Sequence, residues 1–117
     1  MSVKRADLDS GRIDFKGVAT GRRLPLVHPG DILQKDLLEP MGISVYALAK
    51  AVRVPRSRMN DIILGRRAIS GDTALRLARY FGMTPEFWVN LQARYDLEAA
   101  KRTLRTRIDR EVEPRAA

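Results

Sequence analysis

An all-α fold of five short helices is predicted for this 117-residue chain, and three observations carry the prediction. Apolar residues recur at three- and four-residue spacing in five separate stretches. Most of these stretches open on a cap, a proline or an early acid and close on glycine. Alternating apolar residues are almost absent. Ile13, Phe15 and Val18 give only a brief strand-like flicker.

The first helix begins at His28-Pro29-Gly30-Asp31. Proline at a first helical position is preorganised, and an acid in the first turn suits the helix dipole. Ile32, Leu33 and Leu37 follow at helical spacing, and Pro40 with Gly42 is expected to end the helix. Ser44 is a good N-cap for a second helix that turns Leu48, Ala49 and Val52 inward. Pro55 opens a third, with Met59, Ile62 and Ile63 on its buried face and Gly65 at its end. Ser70 caps a fourth, with Ala74, Leu75, Leu77, Ala78 and Phe81 inward and Gly82 closing it. Thr84-Pro85-Glu86 gives the cleanest helix start, cap then proline then acid, and the fifth helix presents Phe87, Trp88, Leu91 and Tyr95.

The length suits one domain with tails. Residues 1–27 read as a flexible basic arm, 28–100 as the folded domain, and 101–117 as a basic helical extension or tail in which Leu104, Ile108 and Val112 continue at four-residue intervals. No cysteine is present, so disulfides and thiolate zinc sites are excluded. No apolar run approaches the roughly 18 residues of a membrane span, and no signal core stands at the N-terminus, so a cytoplasmic protein is expected. Enzyme chemistry finds little support. His28 is the one histidine and sits at a helix start, no Gly-rich phosphate loop occurs, and no metal-ligand or cofactor spacing is found.

The net charge of +8 is unevenly spread. Between Lys50 and Arg67 stand six cations against one acid, Asp61. Such a local excess fits a phosphate-facing surface, because neutralising phosphates releases condensed counterions. A solvated basic face is the plain alternative. The link Ala51-Val52-Arg53-Val54 between helices two and three tips the balance, since two short helices joined by so tight a turn form a helix-turn-helix, here about residues 44–64. Ala49 is the small residue where the helices cross. With Met59 and Ile62 inward, the period of the third helix points Ser57, Asn60, Asp61 and Leu64 outward, with Arg56 and Arg58 on the flanks. Arg56, Ser57, Asn60 and Asp61 are therefore the candidates for reading base edges: arginine pairs with guanine, asparagine with adenine, and the shorter groups accept from cytosine or act through water. Lys50, Arg53, Arg58, Arg66 and Arg67 are the flank or phosphate candidates.

The stretch from His28 to about Leu97 resembles the HigA-type antitoxins, a branch of the phage-repressor-like helix-turn-helix proteins. The resemblance is carried by His28-Pro29-Gly30-Asp31-Ile32-Leu33, Glu39-Pro40-Met41-Gly42-Ile43-Ser44, Gly65-Arg66-Arg67-Ala68-Ile69-Ser70, Ala74-Leu75-Arg76-Leu77-Ala78 and, most discriminating, Pro85-Glu86-Phe87-Trp88-Val89-Asn90-Leu91-Gln92 with Tyr95-Asp96-Leu97. It implies a homodimer on an inverted-repeat operator in double-stranded DNA before its own operon. It also implies a second partner, a small basic toxin similar to the ribosome-dependent messenger-RNA endonucleases. Three positions depart from the pattern. Val45 stands where many relatives carry a backbone-contacting glutamine, Arg53 where a left-handed glycine is usual, and Pro55 where a serine or threonine often caps the reading helix.

Trp88, Leu91 and Tyr95 are the dimer-interface candidates, with Phe87 expected inward beside them; the competing reading places all four in the core. A free-standing repressor without a toxin and a protein-binding adaptor that has lost DNA affinity are the other readings left open.

Overall fold

Capping chemistry sets where helices begin. The hydroxyls of Ser44 and Ser70 accept from the backbone N–H of Ala47 at 3.0 Å and of Thr73 at 3.3 Å, each satisfying a first-turn donor that has no partner within the helix. The computed structural model describes residues 25–116, and no strand occurs among them. Five helices follow in order: α1 (29–41), α2 (Val45–Val52), α3 (Arg56–Ile63), α4 (Gly71–Phe81) and α5 (Pro85–Glu111). The class is all-α, as predicted. Nearly all of the arm expected over residues 1–27 lies outside the described residues. No helix among those described is long and apolar enough to cross a membrane.

α1 does not stop at its proline. It is α-helical over Pro29–Ile32, π-helical over Leu33–Leu38 and α-helical again over Glu39–Met41. Pro40 has no N–H to donate, and its ring collides with the carbonyl four residues earlier in a regular helix. The wider π turn, in which the Glu39 N–H reaches the Gln34 carbonyl, carries the chain past this obstacle. Gly42, left-handed at φ 68°, then ends the helix.

α3 and α4 also end on left-handed glycines, Gly65 and Gly82. α2 ends in the same geometry on Arg53, at φ 59° and ψ 49°. The Val54 N–H donates to the Ala49 carbonyl at 3.0 Å and the Arg53 N–H to that of Lys50 at 3.3 Å, the paired bonds of a Schellman turn. A side chain in this conformation costs about 1 kcal/mol relative to glycine.

The core gathers Leu33 and Leu38 from α1, Leu48 and Val52 from α2, Met59 and Ile62 from α3, Leu77 from α4 and Trp88 from α5. Trp88 is wholly enclosed at 0% exposure. Gly30 lets α1 and α3 touch backbone to backbone, since a methyl group there would strike the Ile62 carbonyl. Two inward assignments are corrected. Leu75 is 62% exposed, because Thr73, Ala74, Leu77 and Ala78 set the buried phase of α4 and leave it off that face. Phe87 is 40% exposed and packs edge-on against Trp88, with ring centroids 4.9 Å apart; Trp88, one residue on, takes the inward direction instead.

α5 runs unbroken from Pro85 to Glu111, so Leu104 and Ile108 extend this helix rather than forming another, while Val112, extended at its C-cap, lies past the end. Its first half packs on α4 and reaches α1. In its second half Leu104, Ile108 and the residues between them are exposed.

Candidate nucleic-acid interface

The two helices that frame the basic stretch are held from behind and bare in front. Leu48, Ala49 and Val52 of α2, Val54 of the turn, and Met59 and Ile62 of α3 are all buried. With that side fixed, the opposite side of α3 faces outward. Arg56, Ser57 and Asn60 are exposed together, Leu64 is 54% exposed, and Arg58 and Asp61 are half-buried at the edges. Pro55 is the N-cap of α3 and supplies no side-chain acceptor, which leaves the first N–H groups of the helix free to meet an anion.

The candidate residues divide into groups. Arg56 lies over the ring of Tyr46, with the guanidinium carbon 5.3 Å from its centroid. This cation–π contact joins the N-terminal turns of α2 and α3. Lys50 is exposed in the last turn of α2, and Arg53 is exposed at the turn itself. Arg66 and Arg67 are exposed just past the C-terminus of α3. Asp61, at the edge of the exposed side of α3, lies 4.0 Å from the Arg66 guanidinium; with the two side chains 38% and 71% exposed, solvent screens the pair and it adds little stability.

Three supporting residues were not legible as such. Tyr46 was missed because its contact with Arg56 crosses between helices. Gln92, only 7% exposed, accepts from the Ile69 N–H at 2.8 Å and donates to the Asp96 carboxylate at 2.9 Å, pinning the loop that carries Arg66 and Arg67. A glutamine four residues after an inward tryptophan is a signal that could have found it. Arg76 of α4 donates through Nη1 to the Val52 carbonyl at 3.1 Å and through Nε to Asp72 at 2.6 Å. Nothing local in the sequence points to that bond.

His28 acts as a cap. Its Nδ1 accepts from the Gly30 N–H at 2.9 Å, and its ring meets that of Tyr95 edge-on at 4.8 Å. Burial pulls its pKa below the usual imidazole value, against the carboxylates of Asp96 and Asp31, which raise it. The neutral ring is the form the cap requires. Among the described residues no group of three or more His, Asp or Glu is placed to hold a metal ion.

The dimer candidates do not form one exposed face. Trp88 is enclosed within its own protomer and offers no surface to a second, which corrects its assignment. Leu91 and Tyr95 are half-buried. Open apolar positions of α5 lie at its start, at Phe87 (40% exposed) and Val89 (43%), and further along, at Leu97 (60%), Leu104 (37%) and Ile108 (46%).

Residues 34–88 match the family described as helix-turn-helix. Virulence-associated protein I of Dichelobacter nodosus is 51% identical over 78 residues, covering 67% of this chain and 72% of that protein. Antitoxin HigA-1 of Vibrio cholerae is 42% identical over 71 residues, covering 61% and 67% respectively. Among solved structures, the Pseudomonas aeruginosa antitoxin HigA with the higBA promoter superposes with a TM-score of 0.74 at 41% identity, over 79% of this chain and all of that one.

Proposed function

Because the chain belongs to the phage-repressor-like helix-turn-helix family, in its HigA-type antitoxin branch, we propose that it is a cytoplasmic, dimeric repressor of its own operon that also neutralises a small toxin. The observation that carries the DNA reading is the bare face of α3, where Arg56, Ser57 and Asn60 stand exposed on a helix whose other side is locked in the core. Arg56 and Asn60 have the donor and acceptor patterns that pair with guanine and adenine in a major groove. Lys50, Arg53, Arg66 and Arg67 flank this face and suit phosphates, which fix register without reading sequence.

A second copy is the natural cover for Leu97, Leu104 and Ile108. A two-fold axis along this part of α5 would present two copies of α3, spaced about 34 Å apart for one turn of DNA. The toxin of this reading is a ribosome-dependent messenger-RNA endonuclease. The chain's own charge of +8 opposes a basic partner overall, so its contact must use a local acidic surface such as that of Asp31, Asp36 and Glu39 on α1.

The test is a titration of the protein on the DNA upstream of its own gene and on a scrambled duplex, each at two salt concentrations. Tight, salt-steep binding that favours the upstream DNA and weakens on Arg56→Ala supports the reading. Equal, weak binding to both duplexes overturns it. Co-purification with the product of a neighbouring reading frame tests the toxin arm separately.

A further inference from the structure

The turn between α2 and α3 aims the reading face, and it contains an energetic weakness. Arg53 holds a left-handed conformation, the one non-glycine to do so among the described residues. The Schellman bonds engage the carbonyls of Ala49 and Lys50. The carbonyl of Val52, last in the helix, has no backbone donor left to it. Its partner comes from 24 residues away: Nη1 of Arg76, at 3.1 Å.

We propose that Arg76 is a positioning residue for DNA recognition, which fixes the turn at Val52–Arg53 and so sets the angle at which α3 presents Arg56, Ser57 and Asn60. The inference rests on the DNA reading above. Two features make Arg76 a brace rather than another surface cation. Asp72, one turn earlier on α4, takes the Nε–H at 2.6 Å, so the planar guanidinium is oriented before its Nη1 reaches the carbonyl. Lysine lacks this fork and cannot make both bonds at once with the same geometry. The bond also joins α4 to the end of α2, so the turn is tied to the core from outside the motif itself.

A residue that aims the reading helix acts on the preference for operator over other DNA. A phosphate contact, or loss of folded protein, acts on both alike. The experiment titrates the wild-type protein, Arg76→Met, Arg76→Lys and Asp72→Asn on the upstream and scrambled duplexes at two salt concentrations, with amide hydrogen exchange at Val54. Arg76→Met is expected to lower operator affinity about tenfold, the scale of a charge-assisted hydrogen bond. Its affinity for scrambled DNA and its salt slope should stay unchanged, and Val54 exchange should quicken. Arg76→Lys should recover part of the loss. Asp72→Asn keeps the Arg76 charge and should lose preference in the same direction by less, which keeps the test decisive should Arg76→Met fail to fold. A salt slope reduced by about one with both duplexes weakened alike makes Arg76 a phosphate contact and overturns the proposal. Unchanged preference in Arg76→Met, in a wild type that does discriminate, overturns it alone. A wild type that does not discriminate overturns the DNA reading, and the role of Arg76 with it.

Discussion

The two halves of α5 share one unbroken helix and differ in almost everything else. The first half encloses Trp88, hides Gln92 and meets His28 through Tyr95. No residue of the helix beyond Gln92 is buried. The apolar positions of the second half recur at spacing as regular as in the first, yet the protomer leaves them open. Periodicity therefore identifies a helix and its apolar side but not what covers that side. In the first half the cover is the protomer's own core. In the second it must come from outside, or be water.

The largest expected effect breaks the first half. Trp88→Ala should destabilise the protomer by about 3–5 kcal/mol, because it removes the largest wholly enclosed side chain of the core and leaves a cavity; chemical denaturation measures it. Gln92→Leu should cost about 1–3 kcal/mol by leaving the Ile69 N–H buried without an acceptor. It should also speed exchange of that amide and loosen the segment bearing Arg66 and Arg67. In the second half, Leu104→Glu with Ile108→Glu is expected to change monomer stability by only about 0.5 kcal/mol and to abolish, in sedimentation, the self-association proposed above. A large fall in monomer stability there would erase the distinction between the halves.

The smallest effect is a pH dependence where the first half meets α1. Folding lowers the His28 pKa, so the unfolded chain takes up its proton first as pH falls. The contribution is complete above about pH 6.5, the unfolded value, and is lost as pH drops through the lower folded value. Urea unfolding at pH 7.5 and at pH 5 should show this decrement. His28→Asn, which can still cap, should flatten it.

Much of the fold was legible because its signals are local. Ser44 and Ser70 cap, Gly42, Gly65 and Gly82 terminate, and each acts within a few residues of itself. The left-handed Arg53 was legible too, through the resemblance that places glycine there. The failures are contacts that local pattern does not encode. The apolar run Ala74, Leu75, Leu77, Ala78 is wider than any buried stripe, and only packing against neighbours decides that Leu75 is the residue left out. Phe87 and Trp88 are adjacent and both aromatic, so a small rotation of α5 decides which goes inward. The end of α1 at Gly42 was legible, whereas the π turn that widens the helix ahead of Pro40 was not. At the candidate interface, the exposed candidates of α3 followed from its helical period, whereas Tyr46, Gln92 and Arg76 serve partners on other elements.

The meeting of Gly30 with the end of α3 has a consequence for how such a protein diversifies. Where Gly30 meets it, the seat of α3 is main chain on both sides, and main chain has no rotamers to vary. Substitutions on the outer face of α3 can then accumulate without disturbing that contact, so, on the DNA reading proposed above, new target sequences become reachable in single steps from a fixed frame. Positions 56, 57, 60 and 61 are accordingly expected to be transplantable as a set between proteins that keep glycine at position 30, and to carry their target preference with them.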